Sequence, residues 1–217
     1  MQTAAFFDMD KTLLKVNSAT HWVRWQVRNK EAPASDLLRL AGWLLQYKFG
    51  VLDVDTLARK SAAPYKGVNE DQLRAKIAAW VHDEIVQTIN PLAVTELNRR
   101  RDEGQICVLL TSATVYASEP IAKLVGIDHV LCSRLEVSDG TLTGNFRPPL
   151  CYGTGKVVAA KKWALEHNVD LARSSFYTDS VSDRSMLELV GEPRVINPDP
   201  PLYLLAKMKN WRVDHWV

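Results

Sequence analysis

Ala4-Ala5-Phe6-Phe7-Asp8-Met9-Asp10-Lys11-Thr12 opens the chain with a short apolar run that breaks into polar positions two residues apart. It reads as a strand that ends in carboxylates. Side chains on an extended chain alternate between two sides, so positions 8, 10 and 12 share a direction only while the chain stays extended. Past the strand end they converge. Two converging carboxylates repel each other, a cost usually offset by a divalent cation, which for all-oxygen ligands points to magnesium. One carboxylate is then free to attack phosphorus while the other handles a proton.

Two plainer readings compete with this one. A calcium-binding helix-loop-helix also begins Asp-x-Asp, but its loop needs Gly at the sixth position and Glu at the twelfth, where this chain has Leu13 and Ala19. That reading fails. Two aspartates at a loop edge also serve as helix N-caps, and only the rest of the chain decides between capping and chemistry.

At 217 residues and 47% hydrophobic content the chain holds enough apolar side chains for one buried core with a modest insertion. The 27 basic residues against 25 acidic ones leave a net charge of +2, so nucleic acid is not an expected partner. Cys107, Cys132 and Cys151 are odd in number and form no C-x-x-C pair, which argues against a disulfide framework or a zinc knuckle. Asp8 and Asp10 interrupt the stretch where a secretory signal needs an apolar core, and no later run has the length of a membrane span. The expectation is a cytoplasmic protein with reduced thiols and no stable membrane insertion, a monomer or a homodimer.

After the first strand, helical spacing of apolar residues predicts helices over about 18–29, 35–48, 54–62 and 70–88. From Pro91 the pattern alternates. A helix over 91–102, capped by Asn90 with Pro91 in its first turn, leads to a strand over 106–110, and the alternation continues through helices near 115–125, 155–167 and 183–190 and strands over 129–132, 174–178 and 194–196. Segments 135–137 and 141–145 flank Ser138-Asp139-Gly140, a turn suited to a small hairpin. The expected fold is α/β: a Rossmann-like parallel sheet flanked by helices, formed by residues 1–14 and 90–217, with residues 15–89 inserted as an all-helical cap. Ligands of open α/β sheets collect beyond the carboxyl ends of the strands, where strand order switches direction. An insertion leaving the first strand there forms a lid.

Each expected central strand ends in a polar group. The strand over 106–110 runs into Thr111-Ser112-Ala113-Thr114, where Ser112 and nearby backbone N–H groups such as that of Ala113 are suited to a phosphoryl oxygen, although N-capping explains a lone hydroxyl equally well. Asp179 and Asp183 follow the strand over 174–178 at a spacing that turns both towards one metal, with capping again the alternative. Lys156 follows Gly153-Thr154-Gly155 at a helix start. A lone lysine is usually a solvated surface charge, but near carboxylates and phosphate it neutralises negative charge. The Gly-Thr-Gly-Lys-Val string lacks the first Gly of a nucleotide-binding P-loop and has Val157 where Ser or Thr is required.

The order Asp-Met-Asp-Lys-Thr, then Thr-Ser-Ala-Thr after a strand, then a helix-opening lysine, then Thr-Asp-Ser-Val-Ser-Asp after a strand resembles the haloacid dehalogenase superfamily of phosphohydrolases, in the branch containing phosphoserine phosphatase. The resemblance covers nearly the whole chain, strongly in the core and weakly over 15–90. It implies that Asp8 attacks phosphorus to give an aspartyl-phosphate, that Asp10 protonates the leaving group and then activates water, and that Thr12 helps set the loop. Ser112 and Lys156 hold the phosphoryl group. Magnesium is held by the Asp8 carboxylate, the Asp10 backbone carbonyl and Asp179, with Asp183 in direct contact or one step removed. The implied activity is a phosphatase acting on a small organic phosphate ester.

Phosphoserine phosphatases place an acidic residue shortly after the first motif for the substrate amino group, whereas this chain has Val16-Asn17-Ser18-Ala19. Ser180 and Ser182 stand where many relatives carry Gly and Asn. In the cap, Arg59 is the preferred substrate contact, beside Trp22, Trp25, Arg24, Arg28 and Lys60; the apolar stretch over 37–49 suits core packing, a dimer contact or a pocket. Two other functions remain open: phosphoryl transfer to an alcohol acceptor, and a catalytically silent binding protein that uses the apolar cap. Retention of both Asp8 and Asp10 argues against the silent protein.

Overall fold

The structure, a computed structural model, describes residues 1–48 and 53–216. Phe49 and the side chains of Leu40, Leu44, Leu45 and Tyr47, all in the apolar stretch noted above, lie outside the described residues. Seven strands form one sheet: β1 (Ala4–Phe7), β2 (Ile106–Thr114), β3 (His129–Ser138), β4 (Thr141–Arg147), β5 (Ser175–Thr178), β6 (Glu192–Ile196) and β7 (Arg212–Asp214). Their spatial order is β4-β3-β2-β1-β5-β6-β7, and every pairing is parallel except that of β3 with β4. Strand order therefore reverses at β1, whose two neighbours are β2 and β5. The crevice beyond its carboxyl end is the switch point of the sheet.

Period-2 alternation gives this sheet two apolar faces. Ala4, Phe6, Val108, Leu110, Phe176 and Val195 pack on one side with Trp163 and Leu202. Ala5, Phe7, Cys107, Leu109, Tyr177 and Ile196 face the other. Because both faces are covered, β1 is apolar at all four positions and all four are fully buried.

Among the described residues, the stretch between Leu14 and Ile89 carries the α-helices α1 (Ser18–Arg28), α2 (Ser35–Lys48), α3 (Val54–Ala62) and α4 (Glu70–Trp80). Asn17, Asp53 and Asn69 cap α1, α3 and α4, each accepting from the backbone N–H three residues on. The chain leaves and re-enters the sheet region through a paired neck, in which Leu14 bridges Ile89, Lys15 N–H donates to the Thr88 carbonyl (2.8 Å) and Asn90 N–H donates to that of Leu13 (2.8 Å). On its other side the helical segment is tied to the β3–β4 hairpin, with Gly67 and Leu142, Leu142 and Val68, and Glu70 and Gly140 sharing backbone hydrogen bonds of 2.8–2.9 Å.

The remaining helices are α5 (Pro91–Asp102), α6 (Val115–Leu124), α7 (Thr154–Glu166), the one-turn α8 (Arg184–Leu187) and α9 (Pro200–Lys209). Asn90 caps α5 as expected, accepting from Leu92 N–H (3.1 Å). Several boundaries differ from the sequence reading. The helix expected over 70–88 is α-helical only to Trp80, then widens through Val81–Ile85 and tightens through Val86–Thr88. The strand over 129–132 and the first arm of the hairpin are one continuous β3, parallel to β2 in its first half and antiparallel to β4 in its second. Asp139 and Gly140 both have positive φ, 50° and 74°, the geometry of the two-residue hairpin turn that Asp-Gly favours. Strand β7 and helix α9 were not expected. Among the described residues no helix is long and apolar enough to cross a membrane.

Trp22 and Trp25 are stacked at 5.1 Å, and Trp80 meets Trp22 edge-on at 5.1 Å. With Trp22 Nε1 donating to Tyr65 Oη (2.9 Å), these rings are packing residues of the helical segment. They belong to the same apolar cluster as the sheet face that carries Phe7 and Leu109. Trp80→Ala should therefore destabilise the whole chain by about 3–5 kcal/mol, read as a lowered urea midpoint in a single transition. Separate melting of the helical segment, with the sheet unaffected, would contradict a shared core.

Candidate active site

Asp8 follows β1 at the switch point, and its backbone N–H continues the sheet by donating to the Tyr177 carbonyl (2.9 Å). The chain then makes a wide turn closed by Leu13 N–H to the Asp8 carbonyl (3.4 Å) and Leu14 N–H to that of Met9 (2.9 Å). Inside the turn Asp10 is extended and Lys11 is left-handed at φ 53°, which costs a non-glycine residue about 1–2 kcal/mol. The result separates the two carboxylates. Asp8 makes no capping hydrogen bond, whereas Asp10 accepts from the first N–H of α1.

Lys156 Nζ donates to Asp8 Oδ1 and to Asp183 Oδ2, both at 2.7 Å. The lysine is only 3% exposed, so it is the opposite of a solvated surface charge. Its place depends on two glycines. Gly153 precedes α7 with φ 52°, and a Cβ on Gly155 would come within 1.8 Å of the Leu150 carbonyl oxygen, so only glycine lets the first turn of α7 pass this close to the preceding loop. Burial pushes the Asp8 carboxyl up to about 8, against the lowering effect of Lys156. Asp183 and Asp8 together hold Lys156 well above its ordinary value despite burial, so the ammonium stays charged.

Asp179 follows β5 and is 7% exposed. Burial is the main influence raising its carboxyl to about 7, with Asp10, Asp183 and Asp199 adding to it and Lys11 opposing. Lys11 Nζ lies 3.8 Å from Asp179 Oδ2. Asp183 is committed through Oδ2 to Lys156 and to Thr178 Oγ1, which donates at 2.7 Å; its Oδ1 is buried without a hydrogen-bond partner in the chain. Asp10 is turned away from these groups: Oδ1 accepts from Ser18 N–H (3.0 Å) and Oδ2 from Asn17 Nδ2 (2.9 Å). Burial raises its carboxyl, with the Ser18 hydrogen bonds opposing.

Among the described residues no three His, Cys, Asp or Glu side chains gather as a ready ligand set. The residues nevertheless fit a divalent cation. Asp8, Asp179 and Asp183 are buried carboxylates, with Asp183 near enough to raise both of the others, and the orphaned Asp183 Oδ1 lacks the partner that a buried acceptor requires.

Ser112 lies on β2, which runs on to Thr114; it is exposed, and α6 begins after Thr114 without any side-chain cap, so Ser112 is no N-cap. The Ala113 N–H already donates to Thr111 Oγ1 (3.2 Å). Thr12 is fully buried and its Oγ1 has no partner. Arg59 is exposed on α3, with Nη2 donating to Thr56 Oγ1 in the same helix (2.8 Å), and no hydrogen bond or ion pair joins it to the Asp8 cluster. Thus Asp8, Lys156, Asp179 and Asp183 come together, Asp10 stands beside them in the turn and is tied to the start of α1, and Arg59 does not join.

Sequence reasoning missed Asn17, Ser18 and Asp199. Asp199 caps α9 through Leu202 N–H (2.7 Å) and accepts from Val181 N–H (3.0 Å), while its own N–H donates to the Asp179 carbonyl (2.8 Å). It thereby pins the loop that carries Asp179 and Asp183. Its signal was legible as a capping Asp directly before Pro200.

This is an α/β enzyme with a carboxylate-lined crevice at its switch point, the place such folds reserve for ligands. The chain belongs to the haloacid dehalogenase-like hydrolase family, whose model matches residues 5–188. Within it the chain falls in the phosphoserine-phosphatase-like branch and is a phosphoric monoester hydrolase. It is 33% identical to the phosphoserine phosphatase SerB1 of Mycobacterium tuberculosis, over 98% of this chain and 70% of that one. It is 27% identical to a histidinol-phosphatase of Neisseria meningitidis, over 98% of each. A protein of unknown function from Bordetella pertussis Tohama I superposes with a TM-score of 0.89 at 28% identity, over 98% of each chain. A phosphoserine phosphatase solved as a phospho-aspartyl intermediate analogue superposes with a TM-score of 0.70 at 18% identity, over 97% of this chain and 99% of that one; at that identity the likeness is one of fold.

Lys156→Met would leave Asp8 and Asp183 buried without their shared cation. Removing one partner of a buried ion pair costs about 3–5 kcal/mol, so urea denaturation should show a loss of that size, partly recovered when Asp183→Asn is added. A variant of wild-type stability would mean that the ammonium does not hold the two carboxylates together.

Proposed function

We propose that the chain is a magnesium-dependent phosphatase for a small organic phosphate, working through an aspartyl-phosphate on Asp8. The observation that carries this reading is the Asp8 carboxylate at the switch point, with Lys156 engaging Oδ1 at 2.7 Å and Oδ2 left to react. In the first step Asp8 Oδ2 bonds to phosphorus while the bond from phosphorus to the leaving oxygen breaks, and Asp10 gives its proton to that oxygen. In the second, Asp10 takes a proton from water as the water oxygen bonds to phosphorus, and the bond to Asp8 breaks to release inorganic phosphate.

Lys156 and Ser112 hold phosphoryl oxygens, and Thr12 supports the loop between the two aspartates. Magnesium would be held by the Asp8 carboxylate, the Asp10 main-chain carbonyl and Asp179, with Asp183 in direct contact or one step removed, and would supply the positive charge that lets an anionic nucleophile meet an anionic ester. Residues 15–89 act as a cap over a core of 1–14 and 90–217. The paired neck of Leu14 and Ile89 supports those limits, since the chain departs and returns at one place.

Asp8→Asn should abolish turnover and the acid-stable trapping of phosphate on the chain, while Asp10→Asn should lose at least the ~10²–10⁴-fold expected of a general acid/base. Chelation should remove activity and magnesium restore it. Wild-type rates in either variant, or full activity after exhaustive chelation, would refute this chemistry. Release of inorganic phosphate distinguishes hydrolysis from transfer to an added alcohol.

The relatives' names make phosphoserine and histidinol phosphate the first esters to try. Position 17 offers an uncharged amide engaged with Asp10 in place of a carboxylate, and without one the desolvation of an ammonium group goes unmatched. In a panel assayed with magnesium, phosphoserine should have a lower kcat/KM than esters without a neighbouring amine. Phosphoserine as the best substrate of the panel would overturn this view of the pocket while leaving the core chemistry intact.

A further inference from the structure

The ion pairs of the site go to Asp8, Asp179 and Asp183. Asp10 is gripped differently, by uncharged donors on both oxygens: Asn17 Nδ2 at 2.9 Å on Oδ2 and Ser18 N–H at 3.0 Å on Oδ1. Asn17 has a second task. Its Oδ1 accepts from Thr20 N–H (3.0 Å) and Thr20 Oγ1 (2.9 Å), which makes it the cap of α1. Two donors facing the amide oxygen leave the amide nitrogen facing Asp10, so the hydrogen-bond network settles the orientation of the amide.

We propose that Asn17 is a positioning residue for Asp10, aiming its carboxyl group from the first turn of α1. The inference rests on the reading of Asp10 as the acid and base of the reaction. The terminal torsion of an Asp side chain is broad, so a carboxyl tied at neither oxygen would present its proton over a wide arc. Tying both oxygens to the start of α1 removes that freedom. Each oxygen keeps a second lone-pair site, so Asp10 accepts from α1 and still carries the proton that passes to the leaving oxygen when the phosphorus–oxygen bond breaks. The proton that water later gives up returns to the same group.

Leaving groups separate this role from a merely structural one. An alkoxide leaves only if it is protonated, whereas p-nitrophenolate leaves without help, and kcat/KM reports the steps up to that departure when departure is irreversible. The test compares p-nitrophenyl phosphate with the alkyl phosphate that the wild-type chain hydrolyses best. Asn17→Ser and Asn17→Gly both keep a competent helix cap and lose the amide donor. Each should lower kcat/KM for the alkyl ester by about tenfold or more, a share of the general-acid effect, and for the aryl ester by less than about threefold. Circular dichroism and urea midpoints check that both variants remain folded, and two variants guard against one that does not.

Asp10→Asn is the reference and should show the same split, larger in size. If it does and the Asn17 variants lower both esters equally or neither, the positioning role is refuted while the acid/base reading survives. Absence of the split in Asp10→Asn itself would refute that reading and the proposal with it.

Discussion

A single buried ammonium holds this site together. Lys156, on α7, reaches across to Asp8 at the end of β1 and to Asp183 after β5, at 2.7 Å each, so three separate elements meet on one nitrogen. Two carboxyl groups share one ammonium in a region where all three residues are buried. Such a cluster is costly to assemble and is not obviously a source of stability, because desolvation of each ion offsets much of the attraction between them. What it does provide is geometry. An ammonium with three donors holds one oxygen of each carboxylate and so fixes the two side chains relative to each other.

The surrounding fold is arranged to bring that lysine to that place. Gly155 removes the Cβ that would strike the Leu150 carbonyl, which allows α7 to start tight against the loop from β4. Thr178 Oγ1 and the backbone of the 179–183 loop orient Asp183 from the other side, and Asp199 pins that loop through Val181 N–H. Thr178 and Asp183 are five positions apart, whereas Asp8 and Lys156 are separated by 148 positions. Contacts of such separation form only when the sheet order is complete, so the integrity of the site reports on the whole fold.

Much of this was legible in the chain and some was not, for identifiable reasons. The central strands announced themselves because both faces are buried and their apolar runs are unbroken, as in β1 and β2. The carboxylates stood out because each follows such a run. Lys156 was harder, since nothing in Gly-Thr-Gly-Lys distinguishes a buried cation from a surface one until its partners are placed. Asn17 and Ser18 were read only as standing where an acidic residue is missing, because their meeting with Asp10 depends on a wide turn whose left-handed residue is Lys11, where glycine is the usual signal. The continuous β3 was read as two pieces because one half follows the pattern of a covered parallel strand and the other that of an exposed hairpin arm. Helix α9 and β7 were overlooked although Asp199-Pro200 carries a helix-start signature.

The two aspartates of the first loop illustrate how an identical side chain acquires different properties two residues apart. Both are buried, and burial raises both. Their partners differ in kind: Asp8 shares a hydrogen bond and a full opposite charge with Lys156, whereas Asp10 is met by an amide and a backbone N–H. Lys156 opposes the rise that burial causes at Asp8, whereas at Asp10 the hydrogen bonds from Ser18 oppose it first; under the proposed chemistry that difference in partners separates a nucleophile from an acid and base. The environments on the two sides of the turn, α7 on one and α1 on the other, therefore distinguish two aspartates that the Asp-Met-Asp string by itself leaves symmetric.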